Sequence, residues 1–222
     1  MPQLFGRSAN TLALVSIAVL GLLGAGGVGL LYAFQSSPYV TEVTTFKEQP
    51  VPFSHQHHVA GLGIDCRYCH TSVEVSGNAG IPPVSTCMNC HKMLWADQKM
   101  LQPVRDAFKD GTPLEWNRIH KLPEFVYFNH SAHVNKGVGC VSCHGRVDKM
   151  PLMAKANTLY MGWCLDCHRN PSANLRPVSE VTNMDWHATE EWKNTDKLSH
   201  YGIKKNELFQ VQQLTNCSVC HR

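Results

Sequence analysis

The stretch Phe128–His144, FNHSAHVNKGVGCVSCH, sets the pattern for most of this 222-residue chain. It carries two histidines three positions apart, a turn that contains glycine, and a Cys-x-x-Cys-His pentapeptide. The stretch Phe53–His70, FSHQHHVAGLGIDCRYCH, has the same plan. The element Phe-x-His-x-x-His thus recurs after about 75 residues, which indicates an internal repeat.

All ten cysteines occur in five Cys-x-x-Cys-His pentapeptides, and none is left over. The two thiols of such a motif can form thioethers with the vinyl groups of one haem, and the His that follows can ligate the iron. The motifs therefore predict five covalently bound haem c groups. The predicted thioether residues are Cys66, Cys69, Cys87, Cys90, Cys140, Cys143, Cys164, Cys167, Cys217 and Cys220, and the predicted proximal ligands are His70, His91, His144, His168 and His221.

Two other uses of paired cysteines fit these motifs less well. The 17 residues between Cys69 and Cys87, and the 20 between Cys143 and Cys164, suit a four-cysteine zinc ribbon. A ribbon leaves the pair at Cys217 without a mate and gives no reason for a His after every pair. A disulfide framework ignores the same histidines.

Eight further histidines and several methionines are candidates for the sixth position of each iron. The spacing of three residues in each repeat places both imidazoles on one side of a helical turn. We therefore predict His55, His58, His130 and His133 as distal ligands. For the remaining iron two alternatives stay open: His120, which we favour over His57, His187 and His200, or a thioether from Met150, Met153 or Met161.

The chain also has a long uncharged segment near its start, from Thr11 to Phe34. At about 1.5 Å per residue it is long enough for a bilayer core of roughly 30 Å. We predict a transmembrane helix through residues 11–34, with the amino terminus in the cytoplasm because Arg7 precedes it. A cleaved signal peptide is the alternative, and the apolar run is longer than usual for one.

These features predict a multihaem cytochrome c in which few short helices and loops surround five haems in c3/c7-like repeats, behind one N-terminal transmembrane helix. Short helices are expected at Ala107–Asp110 and Glu207–Gln213, with Gly and Pro between elements. A net charge of +3 without a basic run argues against nucleic-acid binding. The predicted segments are an anchor (1–36), a tether (37–52), a first dihaem repeat (53–127), a second dihaem repeat (128–185) and a C-terminal segment with the fifth haem (186–222).

The histidine pairs resemble those of the small multihaem cytochromes of the c3 and c7 type. In those families the first His of a pair ligates the next haem in sequence and the second ligates another haem. The resemblance implies that His55 serves the haem on His70, and that His130 serves the haem on His144.

A more specific resemblance rests on Leu62–Thr71, on Phe125–His144 and on Met161–Pro171, the last of which reads MGWCLDCHRNP. With five haem motifs and an N-terminal helix, the chain resembles the pentahaem cytochrome c component of bacterial alternative complex III. The resemblance implies electron relay in a respiratory or photosynthetic chain, from a quinol-oxidising membrane complex to a periplasmic acceptor. It implies quinone-binding membrane subunits, an iron–sulfur subunit and a monohaem cytochrome as partners, with this chain single-pass in the cytoplasmic membrane and its bulk on the periplasmic side.

Two other functions are compatible with the motifs. One is a self-contained multihaem reductase with an open iron, and the other is a membrane-anchored quinol dehydrogenase of the tetrahaem type. A single membrane helix cannot enclose a quinol by itself, and every haem motif keeps its proximal His. The sequence therefore favours an electron-transfer subunit over a catalytic subunit, with the fifth haem as a point of exchange with a partner.

Overall fold

The computed structural model describes residues 6–193 and 214–221. The chain divides into two compact units, residues 1–43 and residues 44–222. The boundary between them falls inside the predicted tether. The histidine at 200 and the helix predicted at Glu207–Gln213 lie outside the described residues.

The first unit is built on one long helix, α1, Arg7–Ser36. An 18-residue window within Ser8–Ser36 has a mean hydropathy of 2.3, and none of that window is buried inside the chain. By length and composition this helix could be a membrane span or a signal sequence. A short helix, α2, Pro38–Thr41, follows it and begins with a proline, whose fixed φ suits a first helical position.

The second unit consists of short helices joined by loops. In chain order its α-helices are α3 (Cys66–Cys69), α4 (Val84–His91), α5 (Gln102–Asp110), α6 (His130–Val134), α7 (Cys140–His144), α8 (Met161–Arg169), α9 (Glu190–Lys193) and α10 (Cys217–Cys220). A π-helical turn spans Gln56–Gly61, and 3₁₀ turns span Lys99–Leu101, Val147–Lys149, Pro171–Asn174 and Val178–Glu180. The helix predicted at Ala107–Asp110 is confirmed as the last part of α5.

Extended pairing within the described residues is limited to isolated antiparallel bridges. They join Phe46 to Ala154, Val126 to His221, and Val138 to Leu175. Buried side chains form two small clusters rather than one core: one comprises Val51, Val84, Leu101, Val104 and Ala107, and the other Val73, Val134 and Val181. So small a side-chain core agrees with the prediction that bound groups fill much of the interior.

The two repeats pack against each other in a reciprocal way. The amide of Gln56, in the first distal-His segment, donates to the carbonyl of Met150, which follows the third haem motif, at 3.0 Å. The amide of His130, in the second distal-His segment, donates to the carbonyl of Gly77, which follows the first haem motif, at 3.2 Å. Each distal-His segment is therefore fixed by the loop after the other repeat's first haem motif.

Candidate haem sites

All five Cys-x-x-Cys motifs lie on helical turns, in α3, α4, α7, α8 and α10. On a helical turn, residues three apart share one face, so the two thiols of each motif point to the same side. In α3 this turn begins at Asp65, whose carboxylate accepts from the amide of Arg67 at 2.8 Å. Local hydrogen bonding thus presents a pair of thiols for one flat ligand.

None of the ten cysteines forms a disulfide. Within residues 6–193 and 214–221, no three His, Cys, Asp or Glu side chains converge to hold one metal ion. A zinc ribbon needs four such ligands around one ion. A haem iron takes two protein ligands, one on each side of the ring, so pairs of histidines are the relevant geometry.

The proximal histidines of the first repeat are held by backbone carbonyls. Nδ1 of His70 lies 2.7 Å from the carbonyl oxygen of Gly80, and Nδ1 of His91 lies 3.1 Å from that of Leu94. A carbonyl accepts only from an N–H, so the proton sits on Nδ1 and the lone pair on Nε2. This is how metal-ligating histidines are usually oriented.

The distal-His segments repeat one local design, beginning with a capping residue before the first His. The amide of His57 donates to the Ser54 hydroxyl at 3.1 Å, and Nδ1 of His58 lies 2.8 Å from the Ser54 carbonyl. In the second repeat the capping residue is Asn129. Its side-chain oxygen accepts from the amide of Ala132 at 3.2 Å, and its carbonyl lies 2.7 Å from Nδ1 of His133.

One phenylalanine in each repeat positions both histidines of the pair. Phe53 meets His55 edge-on at 4.8 Å between ring centroids and stacks on His58 at 4.4 Å. Phe128 meets His130 edge-on at 4.7 Å and stacks on His133, also at 4.7 Å. The two imidazoles packed on each phenylalanine therefore have different orientations, which ligation of two different irons requires.

Three distal histidines lie opposite proximal ones at nearly the same separation. Two imidazoles on one iron, with metal–nitrogen bonds of about 2 Å, place their ring centroids roughly 6 Å apart. The observed centroid separations are 6.1 Å for His58 with His91, 6.3 Å for His130 with His144, and 6.1 Å for His133 with His168. The sequence did not predict the partners of His58 and His133, because its spacings say nothing about long-range packing.

His55, the remaining histidine of the two pairs, lies near His70 of the first motif. Its Nδ1 is buried and has no hydrogen-bond partner among the protein atoms of the described residues. Burial, followed by the charges of His70 and His58, lowers its pKa to about 4. His55 is thus neutral near pH 7 and lies close to the proximal His of the first motif.

Burial keeps most of the other paired histidines neutral as well. It is the largest cause of the lowered pKa of His58, His130 and His168, and it lowers the pKa of His144 to about 3. The neutral imidazole is the form that ligates a metal, so no proton has to be displaced at neutral pH. The donor chemistry of these residues fits haem iron.

The sixth-ligand candidates for the remaining iron are dispersed. Nε2 of His120 lies 3.2 Å from Nδ1 of His144. Met150 and Met153 are half-buried, whereas Met161 is exposed at the start of α8. His57 is exposed and stacks on Trp95, with ring centroids 5.4 Å apart, and His187 is also exposed. Sequence reasoning missed the contact between the imidazoles of His120 and His144, and no local spacing signals it.

Neighbouring motifs also approach one another. The side chains of Cys66 and Cys140 lie close enough to shift each other's pKa, which is raised for Cys66 and lowered for Cys140. These two cysteines open the first and third motifs. The pKa of Cys69 is raised by burial and then by the nearby thiol of Cys87. The second motif therefore lies beside the first.

The fourth and fifth motifs continue this series. Burial and then the thiol of Cys167, in the fourth motif, raise the pKa of Cys143, in the third motif, to about 11. Both cysteines line a cavity of about 280 Å³, and Trp163 forms part of its wall. At the other end, burial and then Cys220 raise the pKa of Cys164.

The fifth motif is fixed to the residues just before the second repeat. The amide of Tyr127 donates to the carbonyl of Cys220 at 2.7 Å, and Val126 forms a backbone bridge with His221. The ring of Phe125 stacks on His221 with centroids 5.8 Å apart. The motif farthest along the sequence is thereby brought next to Phe128 and its two histidines.

Helical Cys-x-x-Cys-His turns faced by second histidines define a multihaem c-type cytochrome. Two family models agree: cytochrome c7 and related cytochrome c matches residues 126–222, and the class III cytochrome c family matches residues 33–121. The predicted c3/c7-like class and covalently bound haem c are thus confirmed. The two matches divide the chain near the predicted start of the second repeat.

A curated relative makes the assignment more specific. The chain is 36% identical over 177 residues to the menaquinone reductase multiheme cytochrome c subunit of Nitratidesulfovibrio vulgaris, covering 79% of this chain and 78% of the relative. The chain therefore belongs to the family of multihaem cytochromes c that includes this subunit.

Proposed function

We propose that this chain is a membrane-anchored pentahaem relay, which carries electrons between a quinone-linked membrane complex and a periplasmic redox partner. The observation that carries the proposal is that each haem motif neighbours the next in the order second, first, third, fourth and fifth. A relay needs closely spaced redox centres, and it needs no open coordination site.

In this proposal five haems are attached through the ten cysteines. Four irons have two histidine ligands each, and the pairs are His55 with His70, His58 with His91, His130 with His144, and His133 with His168. His221 binds the fifth iron. His120 and the methionines at 150, 153 and 161 are the predicted sources of its sixth ligand, and the contact of His120 with His144 favours a methionine.

The haem groups supply reversible one-electron chemistry when they are bound. The protein's own residues hold the ligands in place. Carbonyls such as those of Ser54 and Asn129 keep the ring protons of the distal histidines on Nδ1, and Phe53 and Phe128 fix the ring planes. Rigid ligands keep reorganisation small when an electron arrives or leaves.

The contacts between motifs support one order for the relay, namely second, first, third, fourth and fifth haem. The distal pair at His55 and His58 joins the second haem to the first, and the pair at His130 and His133 joins the third to the fourth. The contact between Cys66 and Cys140 joins the two repeats. The haems on His91 and His221 are then the ends of the relay, where electrons enter and leave.

The anchor and the partners are part of the same proposal. In this proposal α1, which is uncharged from Thr11 to Phe34, anchors the chain in the membrane, and the haems are attached on the periplasmic side, where thioether attachment of haem takes place. The resemblance to the pentahaem cytochrome of alternative complex III supports quinone-binding subunits, an iron–sulfur subunit and a monohaem cytochrome as partners. Electrons then flow from quinol to a periplasmic acceptor.

A second candidate function reverses the direction of electron flow. It is favoured by the curated relative, whose name describes a menaquinone reductase. In that case the relay receives electrons from a periplasmic donor and delivers them towards the quinone. The ligand pairs and the relay order remain the same, so only kinetics distinguishes the two directions.

Rapid-mixing kinetics on the native membrane complex and on the purified full-length chain tests the relay. Menaquinol is expected to reduce the haems within the complex and to leave the isolated chain oxidised, because one helix cannot enclose a quinol. Fast reduction of the isolated chain would contradict the proposal and support a quinol dehydrogenase of the tetrahaem type. Electron flow in the opposite direction is measured by giving the complex a reduced periplasmic cytochrome and menaquinone, and by following the reduction of the menaquinone.

A further inference from the structure

One histidine in the haem unit has an unusual partner. Nδ1 of His58, His70, His91, His130 and His133 each lies within 3.1 Å of a backbone carbonyl oxygen. Nδ1 of His144 instead lies 3.2 Å from Nε2 of His120, with the rings nearly perpendicular at 72° and their centroids 4.3 Å apart.

The proton in this contact has a defined place if His144 ligates iron. His144 lies opposite His130 at 6.3 Å, so its Nε2 carries the lone pair for the metal and its proton is on Nδ1. Nδ1 therefore donates, and Nε2 of His120 accepts with its own lone pair. That lone pair is then not free to bind a second iron, and the remaining ring proton of His120 is on Nδ1.

We propose that His120 is a positioning residue rather than a ligand of the fifth iron. Its Nε2 accepts a hydrogen bond from Nδ1–H of His144 and so tunes the haem at the centre of the relay. The inference rests on the proposed ligation of iron by His144. An imidazole nitrogen is a stronger base than a carbonyl oxygen. His144 accordingly gains more imidazolate character than the other proximal histidines, and it donates more electron density to its iron.

Greater electron donation stabilises the ferric state. The haem on His144 therefore has a lower midpoint potential with this bond than without it. This haem is third in the proposed order and is the first haem of the second repeat, so its potential controls passage between the two repeats. His120 follows Arg118 and Ile119 near the end of the first repeat, which places the tuning residue outside both distal-His segments.

The test uses two variants of the full-length protein, His120→Phe and His120→Asn, with His187→Asn as the control. His187 is exposed and is not paired with a proximal histidine. Spectroelectrochemical titration measures the five midpoint potentials, and electron paramagnetic resonance measures the spin state of each haem. The phenyl ring cannot accept a proton, whereas the amide oxygen of Asn can, so Asn acts as the conservative rescue.

We expect one midpoint potential to shift upwards in His120→Phe, with a smaller shift in His120→Asn and none in His187→Asn. All five haems are expected to keep the spin states of the wild type. Loss of one low-spin signal in both His120 variants would identify His120 as an iron ligand and overturn the proposal. Unchanged potentials in both would show that the bond tunes nothing, and would also overturn it.

A measurement on the unmodified protein covers the case in which a variant does not fold. With histidine nitrogens labelled with ¹⁵N, the fully reduced diamagnetic protein is expected to show a coupling between Nδ1–H of His144 and Nε2 of His120. Absence of that coupling, with the other Nδ1 protons visible, would overturn the proposal. Neither result depends on quinol kinetics, so failure here is distinguishable from failure of the relay.

Discussion

Replacing His58 with alanine is expected to convert one haem out of five from low-spin six-coordinate to high-spin five-coordinate. His58 lies 6.1 Å from His91 between ring centroids, and it is the proposed distal ligand of the second haem. The small alanine side chain leaves the sixth position of that iron open. Electron paramagnetic resonance and visible spectra of the oxidised protein measure the change. The open iron is expected to bind cyanide in the oxidised protein and carbon monoxide in the reduced protein.

The matched control is the neighbouring substitution His57→Ala. His57 is exposed and stacks on Trp95 rather than facing a proximal histidine. All haems are expected to keep their spin states in this variant, with only a local change at Trp95. A high-spin haem in His57→Ala, or none in His58→Ala, would refute the pairing of His58 with His91.

The same variant affects the end of the relay. Axial ligands set haem potentials over a range of about 0.8 V, so loss of the imidazole is expected to raise the potential of the second haem by roughly a few tenths of a volt. If that haem is an end of the relay, exchange with one partner slows while electrons still pass among the other four haems. Slowed transfer between the repeats would instead place the second haem in the interior.

Most of the chemistry of these sites could be predicted from sequence, because it is encoded in short segments. Cys-x-x-Cys-His is a single helical turn, and the Phe-x-His-x-x-His element is another. Their geometry depends on neighbours within about five residues, such as the caps Ser54 and Asn129. Local hydrogen bonds of this kind leave a recognisable pattern in the chain.

The partners of the ligands could not be predicted in the same way. Whether His58 faces His91, and whether Cys66 contacts Cys140, depends on the packing of one repeat against the other. That packing combines backbone bonds, such as the one from Gln56 to Met150, with side-chain contacts between residues far apart in the sequence, such as the one from Thr182 to Asp65. Local spacing in the sequence does not signal long-range contacts of either kind, and the contact of His120 with His144 was missed for the same reason.

The turn before the third haem motif makes the strongest demand on a single residue. Gly137 has a φ of +82°, and a Cβ at this position would collide with the carbonyl oxygen of Arg176. The two backbones are bonded here, since the amide of Arg176 donates to the carbonyl of Gly137 at 2.8 Å. Val138, the next residue, forms a bridge with Leu175, and the chain then enters the haem motif at Cys140.

Gly137→Ala is therefore expected to destabilise the haem unit by about 2–5 kcal/mol. The left-handed conformation costs a residue with a Cβ about 1–2 kcal/mol. Forcing the two backbones apart adds about 1–3 kcal/mol, the usual range for overpacking. Because the haems are covalently attached, urea titration of the full-length protein in detergent measures the free energy of unfolding without loss of the cofactor.

Gly111→Ala separates the two contributions. Gly111 ends α5 with a φ of +65°, and a Cβ there would meet nothing within 4 Å. This variant is expected to lose about 1–2 kcal/mol from backbone conformation alone. Equal losses in the two variants would mean that Arg176 moves away from the new methyl group at little cost. A larger loss in Gly137→Ala, with a changed potential of the haem on His144, would show that contact between the two backbones holds the third motif in place.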